Sequence, residues 1–221
     1  MENRQESSAL SDFETERRIR YFRQNQERYD LLSNSDFIGK VFADTRMDTL
    51  TRMESNAQVF TAFADYEKNL EANIADGRSI GLIGSTGTGK TAFLVAFHRV
   101  LLNHQFNSLI VPMIEFFERL KNSFGSDEGK AIMATCKGVS ALILDDLGRG
   151  MINPWRNERI IEILDHRWRH SKPTFFSSNL KSVDEFTAWL GDAAITDRLL
   201  MPDGNGAAKV KVFLMTGKSW R

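Results

Sequence analysis

The chain has 221 residues, 42% hydrophobic and 26% charged, enough for one α/β domain with a real core plus a short appendage. Lys+Arg and Asp+Glu both number 29, which excludes a whole-molecule basic field, so any nucleic-acid contact must come from a local patch. Cys136 is the single cysteine, which excludes an intramolecular disulfide and a Cys-rich zinc module. The N-terminus carries no signal-peptide apolar region, and no apolar run approaches the roughly 18–20 residues of a membrane span, so the expected setting is a reducing cytoplasm.

In chain order, residues 1–10 read as unstructured. Ser11 and Glu14 in "SDFE" stand at capping-box spacing and open a charged helix. Its apolar stripe of Ile19, Phe22, Tyr29 and Leu32 is too thin for the core face of a large domain. The arm either lies on its own domain or docks a partner protein. A connector leads to a helical segment over 51–75, with Val59, Phe60, Phe63, Tyr66 and Leu70 on one side. "SIGLIG" is an apolar strand ending in a glycine loop, "TAFLVAFHRVLLNHQF" a helix and "NSLIVPM" a second strand. "IEFFERLKNSF" is helical, "GSDEGK" reads as a polar loop, and "GVSALILDD" is a third strand. "NERIIEILDHRWRHS" is helical and "KPTFFSSN" a fourth strand. "SVDEFTAWLGDAAITDRLL" is helical and "KVKVFLMTG" a final half-exposed strand. Strands alternating with helices predict an α/β fold with a mainly parallel five-stranded sheet covered on both faces.

"GSTGTGKT" at 84–91 has the P-loop pattern: Gly84, then Ser85, Thr86, Gly87 and Thr88, then Gly89, Lys90 and Thr91. It follows an apolar strand and opens an apolar helix, the context in which backbone N–H groups and a helix N-terminus can surround phosphates. Lys90 can bridge phosphate oxygens and the Thr91 hydroxyl can ligate Mg²⁺, so ATP and Mg²⁺ are the expected cofactors. Asp145 ends the later apolar strand in "ALILDDLGRG", as expected of the acid on the Mg²⁺ side of a P-loop site. Two readings stand for Asp146: a carboxylate that polarises the attacking water, or a turn residue ahead of Gly148.

"GSTGTGKT", "LILDDLG", "PTFFSSNL", "ITDRLL" and the terminal "GKSWR" occur in an order that resembles the AAA+ ATPases of the DnaC/DnaI helicase-loader group, with which the IstB-type transposition helpers are classed. The resemblance covers residues 36–221, leaving 1–35 as a separate arm. It implies a three-layer P-loop NTPase with a reduced C-terminal lid. It also implies a role for Asn179 as sensor 1, for Arg198 as an arginine finger acting on a neighbouring subunit, and for Arg221 as a sensor 2 contact. The activity implied is ATP-dependent loading of a replicative hexameric helicase onto single-stranded DNA, with residues 11–35 as the helicase-docking element and subunits associating through Arg198. Asp146 stands where many AAA+ enzymes have glutamate, which implies weak basal hydrolysis that rises on assembly. The chain departs from the pattern in its short segment after Asn179 and its lack of a DnaI-type zinc domain.

For DNA, "RLKNSF" offers Arg119, Lys121 and Phe124, and "GRGMINPWRNER" offers Arg149, Trp155 and Arg156. A cation beside an aromatic suits a backbone phosphate and a stacked base, although Phe124 and Trp155 read equally as core or edge aromatics. The positions that the family's pattern favours are Lys121, Phe124 and Trp155. His166 and His170 have the spacing of two metal ligands on a helix but no evident third, and Cys136 reads as a small buried residue. Two rival readings remain. One is a transposition helper that binds duplex DNA; the other is a non-hydrolysing, ATP-switched helicase-binding protein.

Overall fold

The computed structural model describes residues 40–148, 154–191, Thr196 and 209–217. Short 3₁₀ turns at Lys40–Phe42 and Glu54–Asn56 lead into α1 (Ala57–Lys68) and α2 (Leu70–Ala75). There follow β1 (Ser79–Gly84), α3 (Lys90–Asn103), β2 (Ser108–Pro112), α4 (Met113–Asn122) and α5 (Asp127–Gly138). Next come β3 (Ala141–Leu147), α6 (Pro154–Arg169), β4 (Thr174–Ser178), α7 (Val183–Leu190) and β5 (Val210–Met215).

The five strands form one sheet in the order β2-β3-β4-β1-β5, and every pairing is parallel. Parallel strands require crossovers, and the helices supplying them cover both faces. Alternation along β3 shows the division. Ala141 and Ile143 join α1, α2 and α3 in one core, whereas Leu142 and Leu144 join α4 to α7 in the other. The first core is rich in aromatic rings: Phe97 lies 4.7 Å from Phe63, 5.4 Å from Tyr66 and 5.1 Å from Phe175, between ring centroids.

The expected parallel sheet is thus observed, and three element boundaries are corrected. "GSDEGK" is not a loop throughout, because Ser126 caps α5 by accepting a hydrogen bond from the Gly129 amide at 3.2 Å. Asp127 and Glu128 then complement the positive end of that helix. The segment 51–75 is two helices, since the Asn73 side chain takes the Tyr66 carbonyl at 2.9 Å and Asn69 leaves helical geometry. The helix at 182 ends at Leu190, where Gly191 turns left-handed at φ 64°.

α5 is held by Arg167, a fully buried arginine on α6. Its guanidinium donates to the carbonyls of Cys136 and Val139 at 2.9 Å each and to Pro173 at 2.6 Å. Its Nε donates to Thr174 Oγ1 at 3.0 Å. One cation therefore ties the C-terminal carbonyls of α5 to the start of β4, far from the C-terminal strand ends where the P-loop lies.

Candidate nucleotide site

The P-loop leaves β1 at Gly84, which has φ 133° and no room for a side chain. A Cβ there would sit 2.1 Å from the Met215 carbonyl oxygen on β5. Gly87 and Gly89 also have positive φ, 85° and 88°, and Gly89 caps α3 in left-handed geometry. Only glycine adopts such backbone at low cost. The result is a loop whose Ser85 and Thr86 are exposed, whose Thr88 is buried and donates to the Ser85 carbonyl at 3.0 Å, and which delivers the N-terminus of α3. The first-turn amides of a helix lack partners within it and carry its positive dipole end, so they face the place a phosphate would occupy.

Lys90 is buried, and its ammonium donates to the Gly84 and Ser85 carbonyls at 2.8 Å each. Burial pushes its pKa below the usual lysine value, while Asp146 and Asp145 pull it back up. The Thr91 hydroxyl donates to both carboxylate oxygens of Asp145, at 3.0 and 3.1 Å. Because its one proton points at Asp145, the Thr91 oxygen keeps lone pairs for a cation. Asp145 is itself buried, and its pKa is raised by that burial; hydrogen bonds from Ser177 and Thr91 oppose the rise, Asp146 adds to it and Lys90 lowers it. A buried carboxylate beside a threonine oxygen is the hard oxygen donor set that suits Mg²⁺, and the amide-lined loop with Lys90 suits a triphosphate. The residues present therefore fit both groups.

Asp146 departs from the strand. It has φ 62°, a conformation uncommon outside glycine but tolerated by aspartate. The register of β3 on β4 shifts between Leu144, opposite Phe176, and Leu147, opposite Ser178. Two residues, Asp145 and Asp146, thus stand against Ser177 alone, which is a β-bulge that re-aims a side chain. The Asp146 amide donates to Ser177 Oγ at 2.8 Å, and Ser177 Oγ donates to Asp145 Oδ1 at 2.6 Å. The Asp146 carboxylate is turned towards the end of β4, where Asn179 Nδ2 donates to its Oδ1.

The structure thus brings together Lys90, Thr91, Asp145, Asp146 and Asn179. Arg198, Arg221 and Arg149 lie outside the described residues, as does the arm at 11–35. Ser177 was not singled out in the sequence; its only signal there is a hydroxyl inside the apolar strand "PTFFSSN". On the other side of the sheet, Phe124 is 72% exposed and its ring lies 6.2 Å from that of Trp155. Trp155 packs partly buried beside Phe117, so Phe124 is a surface aromatic and Trp155 an edge one. Lys121 is exposed on the last turn of α4, Arg119 pairs with Glu128 at 3.3 Å, and Arg156 lies over the Phe117 ring. A groove of about 360 Å³ runs past Leu120, Phe124, Met133 and Trp155 and is edged by Lys130 and Lys137. His166 and His170 stack with centroids 4.2 Å apart, and no group of three or more potential metal ligands occurs among the described residues. Cys136 is fully buried, its thiol pushed up to about 12 by burial. No helix among the described residues is long and apolar enough to cross a membrane.

Comparison with known proteins agrees with the fold and the loop. The chain is 32% identical over 151 residues to the replicative helicase loader DnaI of Bacillus subtilis (strain 168), covering 68% of this chain and 47% of that one. It therefore spans about half the length of this curated relative. The solved structure of DnaI superposes with a TM-score of 0.63 at 25% identity, covering 76% of this chain and 89% of that one. The DnaC helicase loader superposes with a TM-score of 0.67 at 20% identity, covering 80% and 99%, and so supports the AAA+ fold alone. The family model described as "IstB-like ATP binding protein" matches residues 43–212, which take in the P-loop, both acids, β1 to β4 and the first half of β5; the chain belongs to that ATP-binding family.

Proposed function

We infer that this chain is an ATPase that loads a replicative hexameric helicase onto single-stranded DNA. The observation carrying the enzymatic half is the bulge that separates the two acids: Asp145 stays buried against Thr91, while Asp146 is turned out of the strand against Asn179. Two carboxylates in one environment would duplicate a task; here their surroundings differ. Thr91 and Asp145 would hold Mg²⁺, whose charge, when bound, offsets that of the phosphates. Lys90 and the loop amides from Ser85 to Thr91 bind and orient the triphosphate. Asp146 accepts a proton from the attacking water, and Asn179 keeps the Asp146 carboxylate aimed. Arg198 would complete the site from a neighbouring subunit, so that hydrolysis follows assembly, and Arg221 would act as a sensor 2 contact.

The loading role is supported by the 32% identity to a protein named replicative helicase loader. In this reading residues 1–35 are the arm that docks the helicase and 36–221 the ATPase domain. DNA would run along the groove lined by Phe124 and Trp155, close to Lys121 in the chain, where an exposed ring can stack on a base. The setting is the cytoplasm. The test is capture of a replicative hexameric helicase by the full chain and by a chain lacking residues 1–35. Capture by the full chain alone supports the reading; equal capture by both, or by neither, contradicts the docking role. The family's IstB-like description favours one rival, a transposition helper. Tight ATP-dependent binding to duplex DNA, with no preference for single strands, would select that rival.

A further inference from the structure

The geometry points to Ser177 as a positioning residue that holds Asp145 and Asp146 in separate tasks through a single hydroxyl. The inference rests on the nucleotide-site reading above and extends it to a residue outside the loop and the acids.

The direction of both hydrogen bonds is fixed by chemistry. The Asp146 amide can only donate, so Ser177 Oγ accepts at 2.8 Å, and its one proton goes to Asp145 Oδ1 at 2.6 Å. Two bonds running the same way through one oxygen polarise each other. Ser177 is 2% exposed, so water does not readily replace either partner. The bulge makes the first bond necessary. An extra residue in β3 withdraws the Asp146 amide from the β3–β4 ladder, and the hydroxyl takes the place of the lost carbonyl. The left-handed turn at φ 62° then persists, and with it the contact from Asn179 to Asp146. The second bond fixes Asp145 beside Thr91, whose hydroxyl reaches both oxygens of the same carboxylate. Ser177→Ala would take the hydroxyl partner away from the part-buried Asp146 amide and favour a slip of register, which in a strand redirects side chains.

The experiment compares Ser177→Ala, Ser177→Thr and Ser177→Val, each checked for folding by its melting curve. Three quantities are read: hydrogen exchange of the Asp146 amide without nucleotide; the Mg²⁺ concentration for half-maximal binding of a fluorescent ATP analogue, alongside its affinity in EDTA; and kcat and KM for ATP. In Ser177→Ala the Asp146 amide exchanges faster, and the Mg²⁺ requirement rises by about tenfold or more, as for loss of an outer-shell partner of a metal ligand. In the same variant kcat falls, while affinity in EDTA and KM change little. Ser177→Thr restores all three and Ser177→Val, the same shape without the hydroxyl, does not. Ser177→Ala matching the wild type in exchange and Mg²⁺ requirement overturns the inference. So does Ser177→Val performing as well as Ser177→Thr, which would make the effect one of shape. Should the wild type bind ATP but not turn it over, the hydrolysis reading falls, and exchange and Mg²⁺ requirement still decide the role of Ser177.

Discussion

Replacing Gly84 by alanine tests how the P-loop is anchored. A Cβ at this position would lie 2.1 Å from the Met215 carbonyl oxygen, and the backbone sits at φ 133°. That region is essentially restricted to glycine and costs another residue about 1–3 kcal/mol. Relieving the contact needs a backbone shift, because neither partner is a flexible side-chain end, and such overpacking adds about 1–3 kcal/mol. The loss of stability is therefore about 2–6 kcal/mol, which at about 2–4 °C per kcal/mol lowers the melting temperature by at least about 4 °C. The shift also reaches the site, since the Gly84 carbonyl accepts from Lys90 Nζ at 2.8 Å. Nucleotide affinity should fall by about tenfold or more, equivalent to about 1.4 kcal/mol. Thermal melting followed by circular dichroism and titration with a fluorescent ATP analogue measure the two effects. A variant that melts within about 2 °C of the wild type and binds nucleotide equally well would refute the claim that β5 dictates glycine here.

Other outcomes follow from single contacts. Arg167→Ala removes the donor from the Cys136 and Val139 carbonyls and from Thr174 Oγ1, while the Pro173 carbonyl keeps the Leu142 amide at 3.2 Å; at about 1–3 kcal/mol for each of the groups left unpaired, it should destabilise the chain by about 3 kcal/mol or more in urea unfolding, with Arg167→Lys intermediate. His98 is buried, bonded to Ser108 at 2.9 Å, and held neutral by burial, with its pKa lowered from 6.5 to about 4. Its contribution is therefore complete above pH 6.5 and is lost as pH falls towards 4. Between about pH 7.5 and pH 5 the wild type should lose about 2 kcal/mol more than His98→Gln, and equal losses would contradict this. Asp146→Asn keeps the left-handed turn, which asparagine tolerates. It should bind ATP normally yet lower turnover by about 10²-fold or more in a phosphate-release assay.

Much of the fold was legible because strands buried on both faces read as unbroken apolar runs, as "SIGLIG" and "ALIL" do. The P-loop was legible because its glycines and lysine are close in sequence. What escaped depends on partners distant in the chain. The bulge at Asp146 needs Ser177 from β4, 31 residues on, and nothing local to "LILDDLG" announces a left-handed aspartate. Arg167 sits between His166 and Trp168 in a charged helix, and only the carbonyls at the end of α5 explain its burial. The start of α5 did carry a local signal: Ser126 followed by Asp127 and Glu128 is an N-cap with an acidic first turn. Two glycines around it, Gly125 and Gly129, made the run read as a loop.

In the proposed function, ATP is bound and turned over at the P-loop under the control of a DNA-bound assembly. Turnover by the wild type and by Lys90→Ala, each with and without single-stranded DNA and the helicase, tests this most directly. The expected result is weak wild-type turnover that rises when DNA and helicase are added, and neither nucleotide binding nor turnover in Lys90→Ala. Unchanged turnover in Lys90→Ala, or a fast wild-type rate indifferent to both additions, would contradict it.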